Sequence, residues 1–233
     1  MDKTSRPLIL IVNDDGYQAK GLSALVEAAK DFGEIVVVAP DSARSGMAHA
    51  ITFDAPLRIT PLKTEDNVSY YKTNGTPVDC VKLGQKVLLK DRKIDLILSG
   101  INHGSNSSVS LIYSGTMAAA IEGSIENYPS IGFSLVNYSP EADFSVATEY
   151  AKKIINKVLR NPFPDHISLN VNIPDVSSSQ INGIKITRQT HAYWHEDLIE
   201  NTDPFGRTYY WVTGHLVDND CGKDSCEWAL KNN

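Results

Sequence analysis

Three segments of this 233-residue chain are apolar almost without interruption: Leu8-Ile9-Leu10-Ile11-Val12, Glu34-Ile35-Val36-Val37-Val38-Ala39 and Asp95-Leu96-Ile97-Leu98-Ser99. A strand with one wet face alternates apolar and polar residues, whereas an unbroken apolar run belongs to a strand covered on both sides. Between these runs the period lengthens to that of a helix. Leu22, Leu25, Val26 and Ala29 recur at spacings of three, four and seven, Met117, Ala120, Ile121 and Ile125 mark a helix over Thr116 to Ile125, and Ala147, Tyr150, Ala151, Ile154, Ile155 and Val158 mark a long one from about Phe144 to Leu159. Ser130 to Val136 reads as a further strand. Strands alternating with helices predict an α/β protein: a doubly wound, mostly parallel sheet with helices on both faces.

After Asn161-Pro162-Phe163-Pro164 the texture changes to polar, turn-rich connections, with strands expected at about His166 to Ile173, Gly183 to Thr187 and Tyr209 to Val212. The expected organisation is therefore a core over residues 1–160 and a smaller β-rich region over 161–233, with the second free to lend strands to the first. Ile51 to Tyr71 has the alternating, Pro-interrupted look of a hairpin excursion, and Gly75-Thr76-Pro77 reads as a turn before a helix carrying Val78, Val81 and Leu83.

Composition narrows the function. With 42% hydrophobic residues the chain can bury a substantial core. Its formal net charge of -6, with no Lys/Arg cluster, argues against polymeric DNA or RNA as a partner, although a small phosphorylated anion can be attracted locally whatever the global charge. No apolar stretch reaches bilayer length. Asp2, Lys3 and Arg6, without a small-residue cleavage site, do not resemble a secretory leader, and an odd set of three cysteines, Cys80, Cys221 and Cys226, favours reduced thiols. The expected compartment is the cytoplasm, and no membrane partner is expected.

The candidate chemistry lies in the loops that follow the strands, because open α/β sheets bind ligands beyond the carboxyl ends of their strands. Asn13-Asp14-Asp15-Gly16 places two adjacent carboxylates at the lip of the first strand, where they repel each other unless a cation or a held proton intervenes. The same tetrapeptide also fits a polar turn whose Asp side chains cap backbone donors. Pro40 to His49 offers Ser45 beside Gly46 and the cation Arg44, and the loop after Ser99-Gly100-Ile101 offers Asn102, His103, Ser105 and Asn106; each is equally compatible with an ordinary polar loop. Two carboxylates, an amide oxygen and a hydroxyl make a hard oxygen set suited to Mg²⁺ or Mn²⁺, with Asp14, Asp15, Ser45 and Asn102 as the ligands of choice. Tyr113-Ser114-Gly115-Thr116 opens a helix whose first amides point at any anion placed there, unless Ser114 or Thr116 is a cap and nothing more. A carboxylate-held metal and a helix start together suit phosphoryl chemistry.

Competing signatures are missing or defective. The chain has no G-x-x-x-x-G-K-[ST], no G-x-G-x-x-G and no G-x-S-x-G, and a phospho-receiver reading lacks an acceptor Asp at the end of a later strand. His191 and His195 have a helical spacing of four without the Glu of H-E-x-x-H. Tyr193, Trp194, Tyr209, Tyr210 and Trp211 read as core or interface aromatics rather than a nucleobase platform.

Several segments in order resemble the SurE family of metal-dependent 5′-nucleotidases, the survival protein SurE family. They are Ile9-Leu10-Ile11-Val12-Asn13-Asp14-Asp15-Gly16, Val38-Ala39-Pro40-Asp41 with Arg44-Ser45-Gly46, Gly75-Thr76-Pro77-Val78-Asp79-Cys80-Val81, Ser99-Gly100-Ile101-Asn102 with Gly104-Ser105-Asn106, and Ile112-Tyr113-Ser114-Gly115-Thr116-Met117-Ala118-Ala119-Ala120. The resemblance implies a Rossmann-like domain with a smaller β-rich region used for oligomer contacts in a homodimer or homotetramer. It implies one divalent metal per subunit on Asp14, Asp15, Ser45 and Asn102, with substrate contacts at Ser45, Asn106, Ser114, Gly115 and Thr116. Family members continue beyond the position of Trp228-Ala229-Leu230 into a further strand and a tail with an Asp and a His; this sequence ends at Asn233, a departure that bears on turnover and oligomer geometry.

The resulting expectation is a phosphatase acting on nucleoside 5′-monophosphates, extending to 3′-monophosphates and other small phosphomonoesters. Asp14 and Asp15 are its catalytic carboxylates, and His103 and His49 lie in the right loops to protonate the leaving alkoxide. The competing expectation is a metal-dependent nucleotide-binding or signalling module without turnover.

Overall fold

A computed structural model describes residues 6–161 and 163–232, so Asp2, Lys3 and Pro162 of the sequence reading lie outside the described residues. The central sheet contains β1 (Leu8–Val12), β2 (Glu34–Pro40), β3 (Ile59–Glu65), β4 (Val68–Thr73), β5 (Leu96–His103), β6 (Ser130–Leu135) and β7 (Ser168–Ile173). Their order across the sheet is β3-β4-β2-β1-β5-β6-β7, and every neighbouring pair is parallel except the antiparallel edge pair β3/β4.

Helices α1 (Lys20–Ala29) and α5 (Ser145–Arg160) cover one face, while α2 (Pro77–Leu83) and α4 (Gly115–Ile125) cover the other. The period-two alternation of a strand divides each apolar run between these layers. Ile9, Ile11, Ile35 and Val37 pack with Leu25, Ala151 and Ile155, whereas Leu8, Leu10, Val12, Val36 and Val38 pack with Cys80, Val81 and Ala119. All five residues of β1 are consequently buried, which is why its sequence shows no alternation. Helix α2 starts on a reciprocal cap in which Thr76 Oγ1 accepts the Asp79 N–H and Asp79 Oδ2 accepts the Thr76 N–H. It continues into a π-helical turn, Gly84–Leu88.

Parallel strands added outward in chain order from β1 go first to one side, through β2 and β4, and then to the other, through β5, β6 and β7. The order therefore reverses between β1 and β5, the position at which a doubly wound sheet leaves a crevice at its carboxyl edge. Asp14 and Asp15 follow β1, and Asn102 lies within strand β5 as its penultimate residue rather than after it, because β5 runs on to His103.

Past residue 161, β7 joins the central sheet beside β6, a strand of the kind this region is free to lend to the core. The rest of the region departs from expectation in several places. The strand expected over Gly183 to Thr187 does not form; that segment is irregular and unpaired, with Ile184 and Ile186 exposed. The paired strands are instead β8 (Ala192–Thr202) and β9 (Thr208–Asp218), a separate antiparallel hairpin in which Tyr209 to Val212 is only a part. His195 lies within β8 opposite His215, so the helical spacing to His191 has no structural meaning. Tyr209, Tyr210 and Trp211 are exposed on this hairpin and belong to no core of the single chain. A short helix, α6 (Cys226–Lys231), follows, and α3 (Ser110–Tyr113) precedes α4. Among the described residues no helix is long and apolar enough to cross a membrane.

The crevice depends on a close approach between α1 and the end of β5. A Cβ on Gly21 would lie 1.9 Å from the Ile101 carbonyl oxygen. Gly21→Ala is therefore expected to destabilise the fold by about 1–3 kcal/mol, the usual cost of overpacking. The loss should appear as a lower urea midpoint at unchanged m-value.

Candidate active site

Beyond β1 the chain turns on Gly16, which has φ +96, and the Asn13 side-chain amide closes the turn by donating to the Gly16 carbonyl at 2.9 Å. The turn aims Asp14 inward, where it is 4% exposed. Its carboxylate accepts the hydroxyl of Thr116 in the first turn of α4. Residue 115 must be small for this contact, because a Cβ on Gly115 would stand 2.9 Å from Asp14 Cβ. Ser114 caps the helix, its Oγ accepting the Met117 N–H at 3.0 Å. The carboxylate from the β1 loop and the N-terminus of α4 thus meet in one place.

Asp15 is half-buried beside the end of β5 and accepts the His103 N–H at 3.4 Å. Asn102 donates its side-chain amide to the Gly104 carbonyl at 2.8 Å, which leaves its Oδ1 without a partner among the described residues. A carbonyl can only accept, so the contact of His103 Nδ1 with Ser139 O at 3.1 Å places the proton on Nδ1 and leaves Nε2 as the free nitrogen of that ring. The Pro40–Ala50 loop reaches the same crevice, with the Arg44 N–H donating to the Asp14 carbonyl at 2.7 Å. Ser45 is the next residue; it is exposed, and its hydroxyl makes no hydrogen bond among the described residues. His49 engages Glu122 on α4.

Asn106 is buried and fixed from the β6 and β7 side. Its side-chain amide donates to Ser134 Oγ, its N–H to Asn172 Oδ1, and its carbonyl accepts from Asn170, each at 2.8 Å. Sequence reasoning passed over this support. The available signal was the pair Asn170 and Asn172 at period two in β7, two amides that share one face with Ser168 while Leu169, Val171 and Ile173 take the other.

The site is short of positive charge. Burial, and then the neighbouring Asp15 charge, push the Asp14 carboxyl up to about 6, against a smaller lowering by the Thr116 hydroxyl. Burial raises Asp15 as well, partly offset by the His103 N–H. Among the described residues no Lys or Arg forms an ion pair with either carboxylate, and no group of three His, Cys, Asp or Glu gathers as a metal cage. Two under-neutralised carboxylates with a free amide oxygen and a free hydroxyl in the adjoining loops form a donor set that fits a hard divalent cation.

The crossover crevice, its carboxylate pair and the abutting helix start define the class: a Rossmann-like α/β protein whose paired carboxylates meet a helix start at the carboxyl edge of the sheet. Residues 9–196 match the model of the survival protein SurE family. Over 228 residues the chain is 50% identical to a 5′-nucleotidase SurE of Cytophaga hutchinsonii, covering 98% of this chain and 88% of the relative. It is 49% identical to a 5′-nucleotidase SurE of Flavobacterium psychrophilum over 98% of this chain and 89% of that one. The crystal structure of a SurE protein from Aquifex aeolicus is similar with a TM-score of 0.82 at 40% identity, covering 97% of this chain and 90% of that chain. The chain belongs to the SurE family.

The charge imbalance sets a pH dependence. A carboxyl raised in the folded state keeps its proton longer than in the unfolded chain, so the metal-free protein loses stability as pH rises from 3.8 through about 6. That gap corresponds to about 3 kcal/mol. A cation that binds the ionised pair recovers this loss and competes with the proton at lower pH. The rise in melting temperature produced by Mn²⁺ is accordingly expected to be several degrees larger at about pH 7.5 than at about pH 5, measured by thermal denaturation at fixed metal concentration.

Proposed function

We propose that this chain is a divalent-metal-dependent 5′-nucleotidase, hydrolysing nucleoside 5′-monophosphates to nucleoside and phosphate, with activity extending to 3′-monophosphates and other small phosphomonoesters. The observation that carries the reading is the contact of buried Asp14 with the first turn of α4, because it sets a cation-seeking carboxylate beside a helix start that favours anions. The names of the relatives, each a 5′-nucleotidase SurE, support the same reading.

Asp14, Asp15, the Ser45 hydroxyl and Asn102 Oδ1 would hold one Mg²⁺ or Mn²⁺ per subunit. When bound, such an ion polarises a phosphate oxygen and acidifies a water. The Gly115 N–H, at the first helical position and so without an intrahelical acceptor, and the Ser114 hydroxyl are placed to hold equatorial phosphate oxygens. Thr116 fixes the Asp14 carboxylate, while Asn106, anchored by Ser134 and Asn172, lines the crevice from the β6 side. His103 is the better placed of the two histidines to protonate the leaving alkoxide, since its Nε2 is free to take up a second proton and pass it on from the imidazolium, whereas His49 Nε2 is held by Glu122.

The working unit is proposed to be a homodimer or homotetramer, and the core over 1–160 with the region over 161–233 is proposed as its functional division. The hairpin supports the oligomer: Leu198, Ile199, Tyr210, Trp211 and Val212 are all exposed on it, and a two-stranded hairpin is at best marginal in water unless something covers it. A cytoplasmic location is proposed from the three free cysteines.

Asp14→Asn tests the reading. It is expected to abolish Mn²⁺-dependent phosphate release from AMP while raising the melting temperature of the metal-free protein, since it removes one of two repelling charges. Unchanged turnover would take this carboxylate out of the mechanism. Tight AMP binding by the wild type with Mn²⁺ but without phosphate release would favour the non-catalytic binding module. His103→Gln is expected to lower kcat for AMP by about a hundredfold or more, the scale of lost general-acid catalysis, at little change in KM.

A further inference from the structure

The loop that carries Ser45 is exposed along most of its length, yet it ends on a buried anchor outside the crevice. Glu122 lies on α4 with only 7% of its side chain exposed, and both of its oxygens are occupied. Oε1 accepts Lys82 Nζ from α2, and Oε2 accepts His49 Nε2 at 3.0 Å. A carboxylate cannot donate to this nitrogen, so the His49 ring gives its Nε2 proton to Glu122 and has no such proton to offer a substrate. The burial that would raise the Glu122 carboxyl is outweighed by these two partners, which hold it below the usual range.

His49 follows Ser45 by four residues, and three further bonds pin the same end of the loop. The Ala48 N–H donates to the Tyr113 carbonyl at 3.2 Å, Thr76 Oγ1 donates to the Ala50 carbonyl at 2.7 Å, and the Thr52 N–H donates to Asp79 Oδ1 at 3.2 Å. Ala48 sits at φ +50, a left-handed conformation unfavourable for alanine that persists only when neighbouring contacts impose it. The other end of the loop is tied by the Arg44 N–H to the Asp14 carbonyl. One rigid helix thus presents Thr116 to Asp14 at its start and holds His49 from Glu122 less than two turns later.

We propose that Glu122 is a positioning residue that, through His49, clamps the Pro40–Ala50 loop to α4 and so fixes the Ser45 hydroxyl at the distance from Asp14 that a shared divalent cation requires. The inference rests on the reading of Ser45 as a ligand given above. It assigns His49 to the framework and leaves proton transfer to another group. Its cost and benefit follow from preorganisation: an exposed loop left free would have to be ordered each time the ion bound, and the buried carboxylate orders it beforehand.

The test uses the full chain and two readouts that do not require turnover: calorimetric titration with Mn²⁺ alone, and trypsin cleavage after Arg44 in the metal-free protein, followed by mass spectrometry. His49→Ala is expected to weaken Mn²⁺ binding by about tenfold, the scale seen when a group supporting a metal ligand is removed, and to speed cleavage after Arg44 severalfold. Glu122→Gln should do the same, and the double variant should be little worse than either single one, as for residues acting in series. Lys82→Met removes the other partner of the carboxylate and should leave Mn²⁺ affinity within about twofold. His49 is at the surface, so its alanine variant keeps the test open if Glu122→Gln fails to fold. A His49→Ala protein with reduced kcat for AMP but wild-type Mn²⁺ affinity and cleavage rate would make the ring a proton donor and overturn the proposal. So would equal loss of affinity on Lys82→Met, or an additive double variant. Wild-type protein that binds Mn²⁺ and releases no phosphate, with His49→Ala still weakening the metal, would sink the nucleotidase reading and leave the clamp standing. Wild-type turnover with a silent His49→Ala would do the reverse.

Discussion

Two carboxylates adjacent in the chain, one buried and one half-buried, repel each other, and the groups around them temper that repulsion. Neither Asp14 nor Asp15 has a Lys or Arg partner among the described residues. What opposes the charge is dipolar: the Thr116 hydroxyl and the start of α4 on one side, the His103 N–H on the other. Dipoles soften the field without cancelling it, so the Asp14 carboxyl still stands well above its ordinary value. A lysine in the same place would neutralise the pair permanently and leave nothing for a cation to do. The unrelieved repulsion is what the proposed cation would answer.

The sheet determines where this can happen. Placing β1 between β2 and β5, with helices packed on both faces, makes the carboxyl end of β1 the one edge position flanked by outgoing chains on both sides. Gly115 and Gly21 then set how closely neighbouring helices approach that position, one against Asp14 and the other against the end of β5. Side chains at either place would push the neighbouring elements apart and displace the oxygens of the proposed ligand set.

Which parts of this were legible in the sequence follows from what burial does to a pattern. β1, β2 and β5 could be read because cover on both faces demands apolar residues at every position, and α1 and α5 could be read because one buried stripe imposes a helical period. β8 could not be read in the same way. It is exposed on both faces, so nothing requires its residues to alternate, and Ala192–Thr202 carries polar and apolar residues in no period. Gly183 to Thr187 shows the opposite failure: Ile184 and Ile186 alternate as a strand should, but no neighbour offers the backbone bonds that would make one. At the site, Asp14, Asp15 and the Ser114–Thr116 helix start were marked by their position after strands. The supports from Glu122, Ser134, Asn170 and Asn172 were not, because each acts across tens of residues and none sits in a loop where ligands are sought.

The candidate ligands therefore differ in how firmly they are held, and the difference follows burial. Asp14 is sealed between β1 and α4, and Asn102 is set by strand backbone and its bond to Gly104. Ser45 and Asp15 stand at the wetter rim, Ser45 on a loop whose placement comes from contacts outside the crevice. A site with every ligand sealed would bind a cation tightly but admit no phosphate ester, and a site with every ligand loose would have to order itself at each encounter. Rigid groups on the floor and a tethered loop at the rim satisfy both demands. The rim is then the part of the site most open to change, because a loop exchanges residues at less cost to the fold than a strand end does.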